Sequence, residues 1–313
     1  GTTVYRKGAW VVHSLRGIMG DVAFFQACRD YQAQQAFQSH SSVQLRDFFQ
    51  AYTAQNLTAF FDSYVFQPGF TEFRMVDYTT VSADAPGYFW TNVHVENHLH
   101  RQTEYCSSMQ LEVAFKRENG VWEYRTMIQD EMFQSHLFLL DFQPIDVVLN
   151  PNETIHQSVL AQEKWMDQTG THDLTYAELT LVLNDMGNSD SIWVRIENHF
   201  AEANYAHSIP GTDWRLSGDR MYEVHLSDTA GIDIAARMKF QANNAARYDT
   251  LLFADLNANG LNEDSLHLMY RPFVGGEWTL YPYATVNTMG SAINGTGRFD
   301  ITKLLPGQYT NNH

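Results

Sequence analysis

Histidine and glutamate crowd together in His94-Val95-Glu96-Asn97-His98, residue types that hold a divalent metal or relay a proton. A helical His-Glu-x-x-His would bring both imidazoles to one face, with the glutamate as base. Here the glutamate comes one place late, and the residues alternate as a strand does. Positions i and i+4 of a strand stand about 13 Å apart, too far to share one ion. His94 with Glu96, or His98 with His100, could share a metal on one strand face; a solvated polar face explains the same alternation. Asp255-Leu256-Asn257-Ala258-Asn259-Gly260 sets oxygen side chains at alternate positions with glycine sixth, the first half of a calcium loop. Leu266 at the twelfth position excludes an EF-hand. Glu263 or Asp264 could add a carboxylate to Asp255, Asn257 and Asn259, or the stretch is an ordinary Asn-Gly turn before a strand. Trp193, Trp214, Trp278 and Tyr281 are the residue types of a sugar platform and of a sandwich core alike, and their spacing does not favour the platform.

The elements that would position such groups begin with helices. Trp10, Val11, Ser14, Leu15 and Ile18 follow i, i+3, i+4 spacing, and Gly20-Asp21 opens a second helix through Phe24, Phe25, Cys28 and Tyr31. Ser41-Ser42 reads as an N-cap for a third helix, and Leu57 to Phe66 as a fourth, stopped by Pro68-Gly69. Period two then takes over. Tyr88–His100, Met109–Lys116, Val121–Ile128 and Val147–Leu149 read as strands, with Asn119-Gly120 as a hairpin turn. Ser158 to Asp167 is polar and helix-compatible, and Thr169-Gly170-Thr171 reads as a boundary. Further strands are predicted near Ala177–Leu183, Ile192–His199, Met221–Leu226, Ile234–Gln241, Thr250–Phe253, Ser265–Tyr270 and Trp278–Pro282. Asn92–His98 and Trp193–His199 echo one another, both ending Glu-Asn-His, too short a match to establish a repeat.

Composition narrows the classes. The 313 residues carry 36 acidic against 20 basic side chains, a net charge of −16 that repels phosphate backbones and argues against nucleic-acid binding. No apolar run is long enough for a membrane-spanning helix. Two cysteines, Cys28 and Cys106, exclude a disulfide framework and read as buried free thiols.

The segment Tyr5-Arg6-Lys7-Gly8-Ala9-Trp10, with Leu15-Arg16, Gly20-Asp21, Phe24-Phe25, Phe60-Phe61-Asp62 and Gln67-Pro68-Gly69, resembles the end of the catalytic domain in the aminopeptidase N family of zinc peptidases, the gluzincins. The resemblance implies that Tyr5 is catalytic, donating its phenolic hydrogen bond to the oxyanion of the tetrahedral intermediate. Taken without the surrounding motif, Tyr5 reads as a helix-start aromatic packed on a neighbouring domain. Lys7 and Gly8 read as structural, Gly8 permitting close backbone packing. Pro144-Ile145-Asp146-Val147-Val148-Leu149-Asn150-Pro151 is similar to the closing strand of the family's β-sandwich. Leu216–Tyr222 and Asp264–Arg271 resemble the extra C-terminal β domain of secreted bacterial members, which implies a secreted or periplasmic location.

That family binds zinc through a helical His-Glu-x-x-His and a later glutamate. The 313 residues contain no such motif. By the resemblance, zinc belongs to the complete enzyme and is not bound by this chain, whose partners are a missing N-terminal catalytic portion and a peptide substrate. The expected architecture is α+β and multidomain: an N-terminal α-helical segment (1–69) closing a peptidase catalytic domain, then two antiparallel β-sandwich-like domains (70–168 and 169–313). The competing expectation is a non-enzymatic β-rich accessory or adhesion module that binds a protein or sugar.

Overall fold

In the computed structural model of the chain, residues 7–100, 102–157, 159–203, 209–227, 230–241, 249, 262–273, 275–288 and 296–312 are described. They divide into two compact units, Gly1–Gln157 and Ser158–His313. Helices precede antiparallel sheets, the α+β arrangement predicted from the periodicity.

The first unit opens with α1 (Gly8–Met19), α2 (Asp21–Gln35), α3 (Ser42–Gln50) and α4 (Leu57–Tyr64). Gly20, at φ 75°, ends α1 and starts α2, a backbone conformation that glycine adopts without steric penalty. Ser41 caps α3 in a capping box: its hydroxyl accepts from the Gln44 backbone N–H, and the Gln44 side chain accepts from the Ser41 backbone. Asn56 caps α4. Six strands follow: β1 (Phe70–Ser82), β2 (Phe89–His100), β3 (Met109–Lys116), β4 (Trp122–Gln129), β5 (Phe133–Leu140) and β6 (Asp146–Leu149). They form two three-stranded sheets, ordered β1-β2-β5 and β4-β3-β6. The predicted turn at Asn119-Gly120 joins β3 to β4, with Gly120 at φ 82°.

Helices and both sheets share one core. Leu15, Ile18, Phe24, Phe60 and Phe61 pack in the same cluster as Phe73, Val93, Val95, Leu111, Val113 and Phe115. The four helices are therefore not separately cored. A second stripe of α1 meets the segment after β6: Trp10 stacks on His156 at 4.1 Å, His13 Nε2 lies 2.8 Å from the Glu153 carbonyl, and Ser14 Oγ accepts from His156 N–H. A Cβ added to Gly17 would fall 2.3 Å from the Thr154 carbonyl oxygen, so only glycine allows this approach. Around Gly8, by contrast, a Cβ would meet nothing within 4 Å, so the predicted close packing belongs to Gly17 instead. Asn150 holds the receiving segment, donating to the Ile155 carbonyl and accepting from the Ile155 N–H.

The second unit is a sandwich. Its strands are β7 (Val159–Met166), β8 (Gly170–Leu174), β9 (Leu179–Met186), β10 (Ile192–His199), β11 (Leu216–Leu226), β12 (Ile232–Gln241), β13 (His267–Arg271), β14 (Thr279–Leu280), β15 (Ala284–Asn287), β16 (Thr296–Ile301) and β17 (Gly307–Asn312). A six-stranded sheet, β14-β13-β17-β11-β10-β7, faces a five-stranded one, β15-β16-β12-β9-β8. Val194, Ile196, Tyr222, Val224 and Tyr309 from the first meet Leu181, Leu183, Ile234, Phe240 and Phe299 from the second.

Within the stretch 158–167, helix-compatible in sequence, Val159–Met166 is the edge strand β7, paired along its length with β10. It thus belongs with the second unit, and the division lies between Gln157 and Ser158 rather than after residue 168. The strand expected at Thr250–Phe253 lies outside the described residues.

Candidate functional site

Tyr5 and the calcium candidates Asp255, Asn257 and Asn259 lie outside the described residues. Their neighbours are described. Lys7, just before α1, directs its ammonium at the backbone carbonyls of Gln67 (3.4 Å) and Gly69 (3.3 Å), joining two segments sixty residues apart. Beyond the calcium candidates, Asn262 caps a 3-10 turn at Glu263–Ser265; Glu263 is buried and Asp264 exposed.

The predicted metal pairs on β2 do other work. His94 is hydrogen-bonded to Asp77 and to Asn92, and His98 sits 3.4 Å from Glu96. His100 packs its ring against Phe70. Trp193, Trp278 and Tyr281 are buried, so they offer no sugar platform.

Among the described residues, a convergence of ionisable side chains lies on the six-stranded sheet, on the face opposite its main apolar core. Alternation along β10 sends Val194 and Ile196 inward and Arg195, Glu197 and His199 to the other face. Along β11 the same alternation presents Glu223 and His225 while Tyr222 and Val224 face the core. Pairing places Glu197 directly opposite Glu223, Glu223 opposite Gln308 of β17, and Gln308 opposite Arg271 of β13. One polar row therefore crosses four strands.

Each carboxylate is held from one side. Arg195 Nε donates to Glu197 Oε1 at 2.6 Å while its Nη1 binds Glu163 Oε1 at 2.8 Å. Gln308 Nε2 donates to Glu223 Oε2 at 2.8 Å, and Arg271 Nε in turn donates to Gln308 Oε1 at 2.7 Å. The second oxygen of each turns to a histidine: Glu197 Oε2 lies 3.4 Å from His199 Nε2, and Glu223 Oε1 lies 3.5 Å from His225 Nε2. Burial opposes ionisation of Glu197, yet Arg195, His199 and His225 outweigh it and hold the carboxyl well below the ordinary range. Glu197, Glu223 and His225 place ligand-type atoms within 4.8 Å of one another. Strand register, not sequence, brings these groups together. Glu197-Asn198-His199 stands out in the sequence as an echo of β2, whereas Glu223-Val224-His225 carries no signal beyond a second Glu-x-His on an alternating strand.

A catalytic zinc of the gluzincin kind does not fit these residues. They lie on strands and lack the helical His-Glu-x-x-His. Comparison with protein-family models and with curated proteins finds no match to this chain.

Proposed function

We propose that this chain is the C-terminal portion of a zinc-dependent aminopeptidase of the gluzincin type, supplying the oxyanion-stabilising Tyr5 and a β scaffold. The observation that carries the reading is the Tyr5-x-Lys7-Gly8 segment together with the tie from Lys7 to Gln67 and Gly69. Two stretches that resemble the family are thereby held as one corner. The tie pins the start of α1, and a transition-state donor needs a fixed scaffold. The segments 216–222 and 264–271, which carry the later resemblance, supply β11 and β13, both paired with β17. Zinc and the general base come from residues outside these 313.

Transcript sequence upstream of Gly1 tests the reading directly. A helical His-Glu-x-x-His encoded there supports it, and none sinks it. In the complete enzyme, Tyr5→Phe lowers turnover about a hundredfold or more with zinc content unchanged; unaltered turnover removes the role given to Tyr5.

A self-standing binding module is the second reading. It is favoured by the closure of the helices on the chain's own sheets, where Val11, Leu15 and Phe24 pack in the shared core. Stable folding of the chain by itself suits this reading, whereas a chain that stays soluble only with its upstream segment argues against it.

A further inference from the structure

We propose that Glu197, Glu223 and His225, on the adjacent strands β10 and β11, together bind one divalent transition-metal ion of the zinc type. The inference is independent of the peptidase reading and concerns a site in the second unit, remote in sequence from Tyr5.

The strand geometry makes the donor set. Residues i and i+2 of a strand share a face, so each Glu-x-His motif presents a carboxylate and an imidazole side by side. Antiparallel pairing reverses one motif against the other. The glutamates meet directly, and the histidines fall at opposite corners, His199 beside Met221 and His225 beside Arg195. Three of the donors, Glu197, Glu223 and His225, converge within 4.8 Å, while His199 bonds Glu197 from the far corner and supports that carboxylate from outside.

Three observations favour a metal over a simple ion-pair cluster. A charged N–H···O hydrogen bond closes to about 2.7–2.9 Å. Between Glu223 and His225 the carboxylate–imidazole separation is 3.5 Å. Ligands about 2.1 Å from a tetrahedral zinc stand about 3.4 Å from each other, which matches that spacing. Second, like charges directly opposite across a ladder are unfavourable. Glu197 and Glu223 hold that position with only 12% and 19% side-chain exposure. A cation between them removes the repulsion. Third, each carboxylate already has an outer partner: Arg195 and Gln308 occupy one oxygen apiece and leave the other facing histidine. Outer donors of this kind orient metal ligands. Imidazole with carboxylate suits zinc-like ions, whereas calcium and magnesium demand oxygen throughout. Three protein donors, one from β10 and two from β11, hold the ion between the strands and leave its fourth position to water, so the site bridges β10 and β11.

The test uses the full 313-residue chain, free of any affinity tag and stripped with EDTA. Zinc chloride titrated calorimetrically binds with one equivalent per chain, and cobalt(II) gives visible absorption of tetrahedral character that zinc displaces. Glu223→Gln and His225→Ala weaken zinc by at least about tenfold, while His94→Ala on β2 leaves it unchanged. Gln308→Ala keeps every ligand and still lowers affinity roughly tenfold, which serves if a ligand variant fails to fold. Absence of saturable zinc binding by the native chain, or binding indifferent to the ligand variants and to Gln308→Ala, overturns the proposal.

Discussion

His156 lies flat on Trp10, and burial, with His13 nearby, pulls its pKa down to about 4. In the unfolded chain it titrates near 6.5. Between those values the unfolded state takes up a proton that the folded state refuses. The contribution is therefore fully present above pH 6.5 and fades as pH falls toward 4, by on the order of 2 kcal/mol. Urea unfolding of the first unit at pH 7, 5.5 and 4 should show this decline. His156→Phe keeps a ring against Trp10 and should flatten it; an unaltered slope would assign the acid sensitivity elsewhere. The cysteines divide in the same local way. Both are free, as the sequence indicated, but only Cys106 is fully buried and Cys28 is half-buried. Burial pushes the Cys106 thiol up to about 12, so a disulfide reagent added to native protein should modify Cys28 first and reach Cys106 only on unfolding. Residue types alone suggested metal chemistry at His94–His98. The convergent set instead pairs Glu197 with Glu223, because register, invisible in one strand's sequence, decides which side chains meet.

At the scale of elements, α1 shows how little slack the packing leaves. Replacing Gly17 by alanine favours the helix by up to about 1 kcal/mol. The added carbon would collide with the Thr154 carbonyl, and such overpacking costs typically about 1–3 kcal/mol. Gly17→Ala should therefore destabilise the first unit in chemical denaturation, while Gly8→Ala, with open space around it, should not. Helix ends were legible because caps are local chemistry: Ser41 with Gln44, Gly20 with Asp21. Several strands were not. β1 carries a register shift between Met75 and Asp77 that breaks its alternation. β5 exposes Phe133, Leu137 and Leu139 on one face while burying Leu140 on the other, so apolar residues fall on both faces and no period shows. β7 is an edge strand whose residues are mostly half-buried or exposed, which leaves a polar run that mimics a helix.

For the whole molecule, two compact units whose main cores are separate imply two unfolding events. Phe115 is buried in the first and Phe240 in the second. Truncating either to alanine should cost about 3–5 kcal/mol in its own unit. Calorimetry of the full chain is expected to resolve two transitions, each lowered by one variant and left in place by the other; a single transition moved by both would contradict this. The order of helices before sheets could be read from the switch of period from 3.6 to 2. The division at Gln157 could not, since strand pairing between β7 and β10 leaves no mark in composition.

The seat of α1 on residues 150–156 also sets a timetable. Helix and receiving segment are separated by most of the first unit, so no nascent chain can close the contact before Thr154 has been made. At a synthesis rate of roughly 5–20 residues per second, α1 waits on the order of ten seconds after it is complete. Throughout that interval its core-facing Leu15 and Ile18 lack the sheets that will cover them. Ribosome-bound chains stalled short of Thr154 should therefore hold chaperones longer than chains released beyond it.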